Sequence, residues 1–329
     1  MKQAYQPLFT PWKIGKVEIK NRIVMCSMGG TSIFGWMEPN HFDREAANFL
    51  LERARNNVGL LLPGIAPIRD PMGGRWLYQN PAKFKALKAF MEEFHKTGAK
   101  LFIQLTAGFG RAMAVNDIMV KMAKNKALGF LGKPIFDMDF ILASASATPN
   151  RWADGVYSRP FTVAEIQQIV EAFAKTAKLC QEAGVDGIEV HAVHEGYTLD
   201  QFALKYTNQR TDQYGGSLEN RAKFPLACIR AIRAGFCSVM FDGAGLPLEE
   251  NIARTRLVAR LAHAAGVDVE AELGRVGDTG SGGEGTGDAT TADIFTDVEE
   301  SARFIAETGT DALAIAIGNL HGRYPATPR

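Results

Sequence analysis

The feature that most limits the fold of this chain is an alternation, made seven times, of short β-branched apolar runs with longer segments of helical period. Such alternation builds βα units, and units in series feed a parallel sheet. The spacing predicts strands at Arg22–Met28, Gly59–Ile65, Leu101–Leu105, Asp186–His191, Ser238–Asp242, Asp268–Leu273 and Asp311–Ile317. Runs such as LFIQL and DALAIAIG are apolar on both faces, as suits strands covered by helices outside and packed side chains inside. The expected fold is α/β, a TIM-type (β/α)8 barrel, incomplete because seven units are counted. A barrel short of one strand leaves unpaired backbone groups between its last strand and its first. That edge predicts marginal stability or a homo-oligomer.

Between the strands the helices carry start signals. Thr162 with Glu165 and Asp297 with Glu300 are spaced as capping boxes, and Pro247 suits a first helical turn. Two stretches break the rhythm. Residues 106–160 form a long excursion after the third strand, rich in Met, Lys and Phe, and an insertion there is expected to build a lid. The glycine-rich stretch Gly277–Thr291 is expected to be a mobile loop.

Composition narrows the function classes. With 37 basic and 36 acidic residues the chain offers no overall basic field, so neither nucleic acid nor membrane is the expected partner and a small-molecule substrate is. Cys26, Cys180, Cys228 and Cys237 stand apart with no CxxC pair, which argues against a zinc ribbon or a disulfide framework and for a reducing compartment. The first residues lack an apolar leader core, and no run of about 18 uncharged apolar residues occurs. These features predict a cytoplasmic protein.

In a parallel barrel the chemistry gathers where strands end at their carboxyl side. The fourth run closes with HAVHEGY. Positions three apart on a strand face opposite sides, so His191 and His194 converge only if the chain turns after His191, and Glu195 and Gly196 permit that turn. Two imidazoles on one oxygen polarise a carbonyl, and the Tyr197 phenol can supply a proton, which together suit reduction of an activated double bond. Taken alone, the same residues read equally well as one satisfied core histidine and one exposed one.

Five ordered motifs resolve this: LFTPWKIGKVEIKNRIVMCSM, IQLTAGFGR, ASASATPNRW, GVDGIEVHAVHEGYTLDQF and TNQRTDQYGGSLENR. Over roughly residues 5–232 the chain resembles the Old Yellow Enzyme family, and is most similar to its 2-enoate, dienoyl-CoA and bile-acid-dehydrogenating members. The resemblance implies FMN, reduced by NADH or NADPH. It sets Cys26, Ser27, Met28 and Gly29 at the end of the first strand against the flavin, with Ile65 also lining the ring and Gln104 hydrogen-bonded to it. It assigns His191 and His194 to the substrate's activating group and Tyr197 to proton donation. Gly29 stands where other members carry Cys or Thr. From the residues alone, Cys26 would be a buried structural thiol and Gln104 a satisfied barrel polar group, and RTDQYGG (Arg210–Gly216) a structural turn network with Arg210 and Asp212 paired.

After Arg233 the pattern changes. The arginine expected on the fifth strand, and the glycines and arginine expected to hold the flavin phosphate, are replaced by other sequence. AGFCSVMFDGAGLPLEENIARTRLVARLAHAAGVDVEAELGRVG and TDVEESARFIAETGTDALAIAIGNLHGRY resemble class II, metal-dependent fructose- or tagatose-bisphosphate aldolases over about residues 226–327. That resemblance makes His321 and Glu272 candidate ligands of a divalent metal, with Ala244 and Gly245 standing in for that family's usual Ser and His. The sequence thus predicts an ene-reductase-like front part at 1–233 and aldolase-like βα units at 234–329, joined near the helix Ser217–Arg233 into one structural domain. The function expected is FMN-dependent reduction of an enoate, enone or dienoyl substrate. The alternatives are a metal-dependent ketose-bisphosphate aldolase and a catalytically inactive hybrid barrel.

Overall fold

The computed structural model describes residues 3–35, 41–193, 196–232, 238–264, 268–274, 277–278, 296–316 and 320–321. Its sheet is built from β1 (Val24–Met25), β2 (Leu60–Leu61), β3 (Lys100–Thr106), β4 (Gly187–Val193), β5 (Ser238–Asp242), β6 (Asp268–Leu273) and β7 (Ala312–Ile315). Each strand pairs in parallel with the next in chain order, and Ala66–Pro67 adds a second short ladder to β3. Among the described residues β7 does not pair with β1, so the sheet is a partial barrel.

All seven expected strands are present. The first two strands are shorter than their apolar runs; one further inter-strand bond, from the Leu62 amide to the Met25 carbonyl at 2.8 Å, extends their pairing, and Gly30 turns with φ of 80°. The interior strand β3 is buried along all but its first residue, as its two-faced apolar run requires.

The helices are α1 (Arg44–Arg55), α2 (Pro81–Phe94), α3 (Asp117–Lys124), α4 (Lys126–Gly132), α5 (Met138–Ile141), α6 (Val163–Glu182), α7 (Thr198–Ala203), α8 (Leu218–Ile232), α9 (Leu248–Ala264) and α10 (Val298–Thr308). The capping box predicted for α6 forms, with Thr162 Oγ1 accepting from the Glu165 amide and Glu165 accepting from the Thr162 amide. Below it Ile166, Ile169, Phe173, Ala177 and Cys180 follow helical spacing into the core. A side chain such as Phe173 contributes about 1.5–3 kcal/mol by that burial. Asp297 caps α10 through the Glu299 and Glu300 amides at 2.9 Å, and α9 begins one residue after Pro247.

An antiparallel hairpin, Trp12–Ile14 with Val17–Ile19, packs Ile14 and Ile19 on Leu60, Leu62 and Phe102 near the starts of β2 and β3. Across the join, α8 buries Phe224, Cys228 and Ile232. Residues 233–237, which include Cys237, lie outside the described set. The sheet then continues without changing sense, as β5 pairs β4 from Glu189 opposite Ser238 to Val193 opposite Phe241. Ala259, Ala262 and Val269 from the rear part join the same apolar cluster as Leu101, Ile188 and Phe224 from the front.

The 106–160 excursion has a core of its own. Phe109, Ala112, Met113, Met119, Met138, Ile141, Leu142 and Val156 pack together with Ile65 and Tyr197, which seats it over the carboxyl ends of the strands. Most of Gly277–Thr291 lies outside the described residues; Gly277–Asp278 pairs in parallel with Leu320–His321.

Candidate active site

The ends of β1 and β2 are stapled by one hydroxyl. Thr31 Oγ1 donates to the Met28 carbonyl at 2.9 Å and accepts from the Gly64 amide at 2.8 Å. The approach leaves no room for a side chain, since a Cβ on Gly64 would stand 2.6 Å from the Met28 oxygen. This closeness holds Cys26, Ser27, Met28 and Gly29 at the mouth of the barrel, all part-buried.

Gln104 projects from β3 into the interior, where its amide is shared out. Oε1 accepts from Ser27 Oγ at 2.9 Å, and Nε2 donates to a short hydrogen bond with Glu189 Oε1. The same nitrogen faces the Met240 thioether at 3.4 Å, a weak acceptor. Glu270 on β6 lies beside both Glu189 and the Cys26 thiol, and Glu189 Oε2 and Glu270 Oε1 are buried without a hydrogen-bond donor among the described residues. Burial, then the charge of Glu270, pushes the Glu189 carboxyl well above the usual carboxylate range. Burial, then Glu270, Glu189 and Glu272, likewise push the Cys26 thiol up, which favours its neutral form.

His191 is buried near the end of β4, and its ring meets that of Tyr197 edge-on, centroids 5.3 Å apart. Tyr197 is held on its other side by Phe109 at 4.9 Å and caps α7, whose Gln201 amide reaches the Tyr197 carbonyl at 2.8 Å. The strand runs on past His191 to Val193, with a register shift between the two, so the chain does not turn directly after His191; Gly196, further on, has φ of 102°, a left-handed conformation that favours glycine. His194 and Glu195 lie outside the described residues. The structure thus gathers Ile65 and Tyr197 in one cluster, His191 against Tyr197, and Ser27 against Gln104.

Glu189, Glu270, Phe109 and Met240 were missed by the sequence reading. The signal for the acids was present: Glu189 is two residues before His191 and Glu270 two before Glu272, so each shares a strand face with a residue already singled out. The Arg210–Asp212 pair is the turn network expected, with guanidinium bonds to the Ala145 and Phe161 carbonyls at 3.1 and 2.7 Å. Glu272 lies on β6 opposite Asp242 and Ala314, whereas His321 belongs to the separate ladder with Gly277–Asp278. Among the described residues no three His, Cys, Asp or Glu side chains gather to hold a metal ion.

The class that the fold defines is a partial parallel βα barrel, with an imidazole, a phenol and a barrel glutamine towards the carboxyl end of its strands. Residues 7–238 match the NADH:flavin oxidoreductase / NADH oxidase family, and the chain belongs to it. Residues 222–329 match the class-II fructose-bisphosphate aldolase family, so the two matches overlap on α8 and the start of β5. Cinnamate reductase of Clostridium sporogenes is 37% identical over 240 residues, 71% of this chain and 33% of that protein. Putative 12-oxophytodienoate reductase 3 of Oryza sativa subsp. japonica is 34% identical over 254 residues, 75% of this chain and 59% of that protein. The chain therefore spans between a third and three-fifths of the length of these relatives. Among solved structures, morphinone reductase in complex with tetrahydroNAD superposes with a TM-score of 0.62 at 23% identity, covering 93% of this chain and 85% of that one.

Proposed function

We propose that the chain forms the barrel of an FMN-dependent oxidoreductase of the ene-reductase type, which takes electrons from NADH or NADPH and reduces an activated C=C bond of an enoate, enone or dienoyl substrate. The observation that carries this reading is the His191–Tyr197 ring pair at the carboxyl end of the family-matched sheet, beside Ile65. The described residues fit the flavin ring. One Gln104 amide proton goes to Glu189 and the other lies towards the Met240 sulfur, a weak acceptor, so a ring oxygen or nitrogen would be a better acceptor for it, and Ser27, Met28 and Ile65 would line the ring. When bound, the flavin supplies hydride. His191 holds and polarises the substrate's carbonyl, and the Tyr197 phenol gives the proton that completes saturation of the double bond. The lid core around Phe109 and Met138 keeps water from that transfer. Cys26, Cys180 and Cys228 are free thiols, which supports a reducing, cytoplasmic setting.

The test is the visible spectrum of the purified protein after FMN is added and excess flavin removed. Retained oxidised-flavin bands lead to an enone-reduction assay, in which Tyr197→Phe slows turnover about 10²–10⁴-fold and leaves the flavin bands unchanged. A folded protein that retains no flavin overturns the reading and leaves the inactive hybrid barrel. Retro-aldol cleavage of a ketose bisphosphate, abolished by EDTA, would point instead to the aldolase-like segment.

A further inference from the structure

The lid carries a surface that the proposed chemistry does not use. Helix α4, KALGFLG, buries none of its residues, although Leu128, Phe130 and Leu131 are 44%, 78% and 73% exposed. Ile118 and Ile135 flank it at 66% and 56% exposure. Monomeric proteins seldom leave large apolar side chains together in water unless something covers them. Lys121, Lys124, Lys126 and Lys133, all exposed, are interleaved with these residues, and Asp117 is the single acid between positions 116 and 136. Among the described residues Lys121, Lys124 and Lys126 take part in no ion pair, while Lys133 leans on Asp137 at 3.8 Å. Phe130 and Tyr157 line a groove of about 370 Å³ with Met122, Met138 and Leu142 along it; Lys133 and Arg159 there are paired with Asp137 and Asp139, which also line it, and Lys126 is the base left over among the described residues.

We propose that this face docks on the surface of an anionic lipid bilayer, with α4 in the headgroup layer and its lysines on the phosphates. The overall charge of +1 argued against such a partner, but it averages a locally basic, apolar segment with acidic surface elsewhere. The local charge selects the occupant. A symmetric contact with a second copy would press one lysine-rich face on another. Phe130, Leu131 and the lysine stems match the apolar boundary and the charge of anionic headgroups, and need no partner of fixed shape. Met138 and Leu142 lie along the groove and also pack in the cluster that holds Tyr197, so docking sets the lid against the mouth of the candidate site.

Co-sedimentation of the full chain with vesicles tests this, using phosphatidylcholine alone and phosphatidylcholine mixed with phosphatidylglycerol. The protein is expected to sediment with the anionic vesicles only and to be released at high salt. Lys124→Gln with Lys126→Gln is expected to weaken partitioning about 25-fold, from about fivefold per lysine. Phe130→Ser with Leu131→Ser is expected to abolish it while leaving the thermal melt in place, because neither side chain is buried. Failure to bind anionic vesicles, or equal binding to both kinds, overturns the proposal. So does a dimer seen by light scattering that Phe130→Ser with Leu131→Ser dissolves, which would assign the face to a second copy.

Discussion

Glu189 sits where a carboxylate has little reason to be, 1% exposed inside the sheet and beside a second buried acid, Glu270, from the other family segment. Burial and the neighbouring Glu270 charge favour the protonated form of Glu189, whose Oε1 accepts from the Gln104 amide. The folded state therefore holds a proton that the unfolded chain gives up near the ordinary glutamate value of 4.5. Stability from Glu189 is complete below that pH and is lost as pH rises through its raised value in the folded protein. Glu270→Gln removes the neighbouring charge that helps to raise Glu189, so thermal melts across neutral and alkaline pH are expected to show a flatter decline than the parent. Equal slopes would remove the pair from the account. Glu189→Ala strips Gln104 of its acceptor in a dry site and is expected to cost about 1–3 kcal/mol. The sequence made Gln104 and Tyr197 readable through motif resemblance. It could not show the acid pair, because that contact depends on which strands are neighbours and which faces turn inward.

At the scale of elements, local signals were most legible where a helix makes its own ends. The Thr162 box on α6 is reinforced by Arg159, whose guanidinium reaches Glu165 at 2.6 Å. Hydrogen bonds from Arg159 and Thr162 overcome partial burial and hold the Glu165 carboxyl down at about 2. That contribution is present above the ordinary value of 4.5 and is lost as pH falls through about 2. Thr162→Ala is expected to cost about 1 kcal/mol, read as a lower midpoint in urea with an unchanged slope. A drop in slope as well would mean that α6 detaches in place of losing only its cap. The strands were legible by position and less so by length. β5 and β6 keep their full runs, while the expected Gly59–Ile65 shrinks to Leu60–Leu61, since the Thr31 staple draws Gly64 away from the ladder. The lid was placed by its length and composition; its helices α3 and α4 begin at Asn116 and Asn125, which cap them through amides two or three residues ahead, a local signal that the sequence reading did not use.

For the whole molecule, the join between two family segments is tolerated because both are made of the same βα unit, and a unit asks its neighbour only for a parallel edge and an apolar face. β4 and β5 supply these across the seam, and Ala259, Ala262 and Val269 extend one core into the rear part. Farther from the seam the support thins. Ile252, Ala271, Leu273 and Phe304 form a small separate cluster, and β7 buries one of its four residues while pairing only with β6 among the described residues. Local opening follows buried contacts and paired edges, so amide protection should fall along the sheet from β3 towards β7. Hydrogen exchange read by mass spectrometry is expected to show peptides covering Lys100–Thr106 exchanging slowest and those covering Ala312–Ile315 fastest among the strands. Protection of β7 equal to that of β3 at low protein concentration would mean that the barrel closes on itself. Protection that appears only as concentration rises would mean that a second copy covers the edge, and the chain's self-association would then follow from the missing strand.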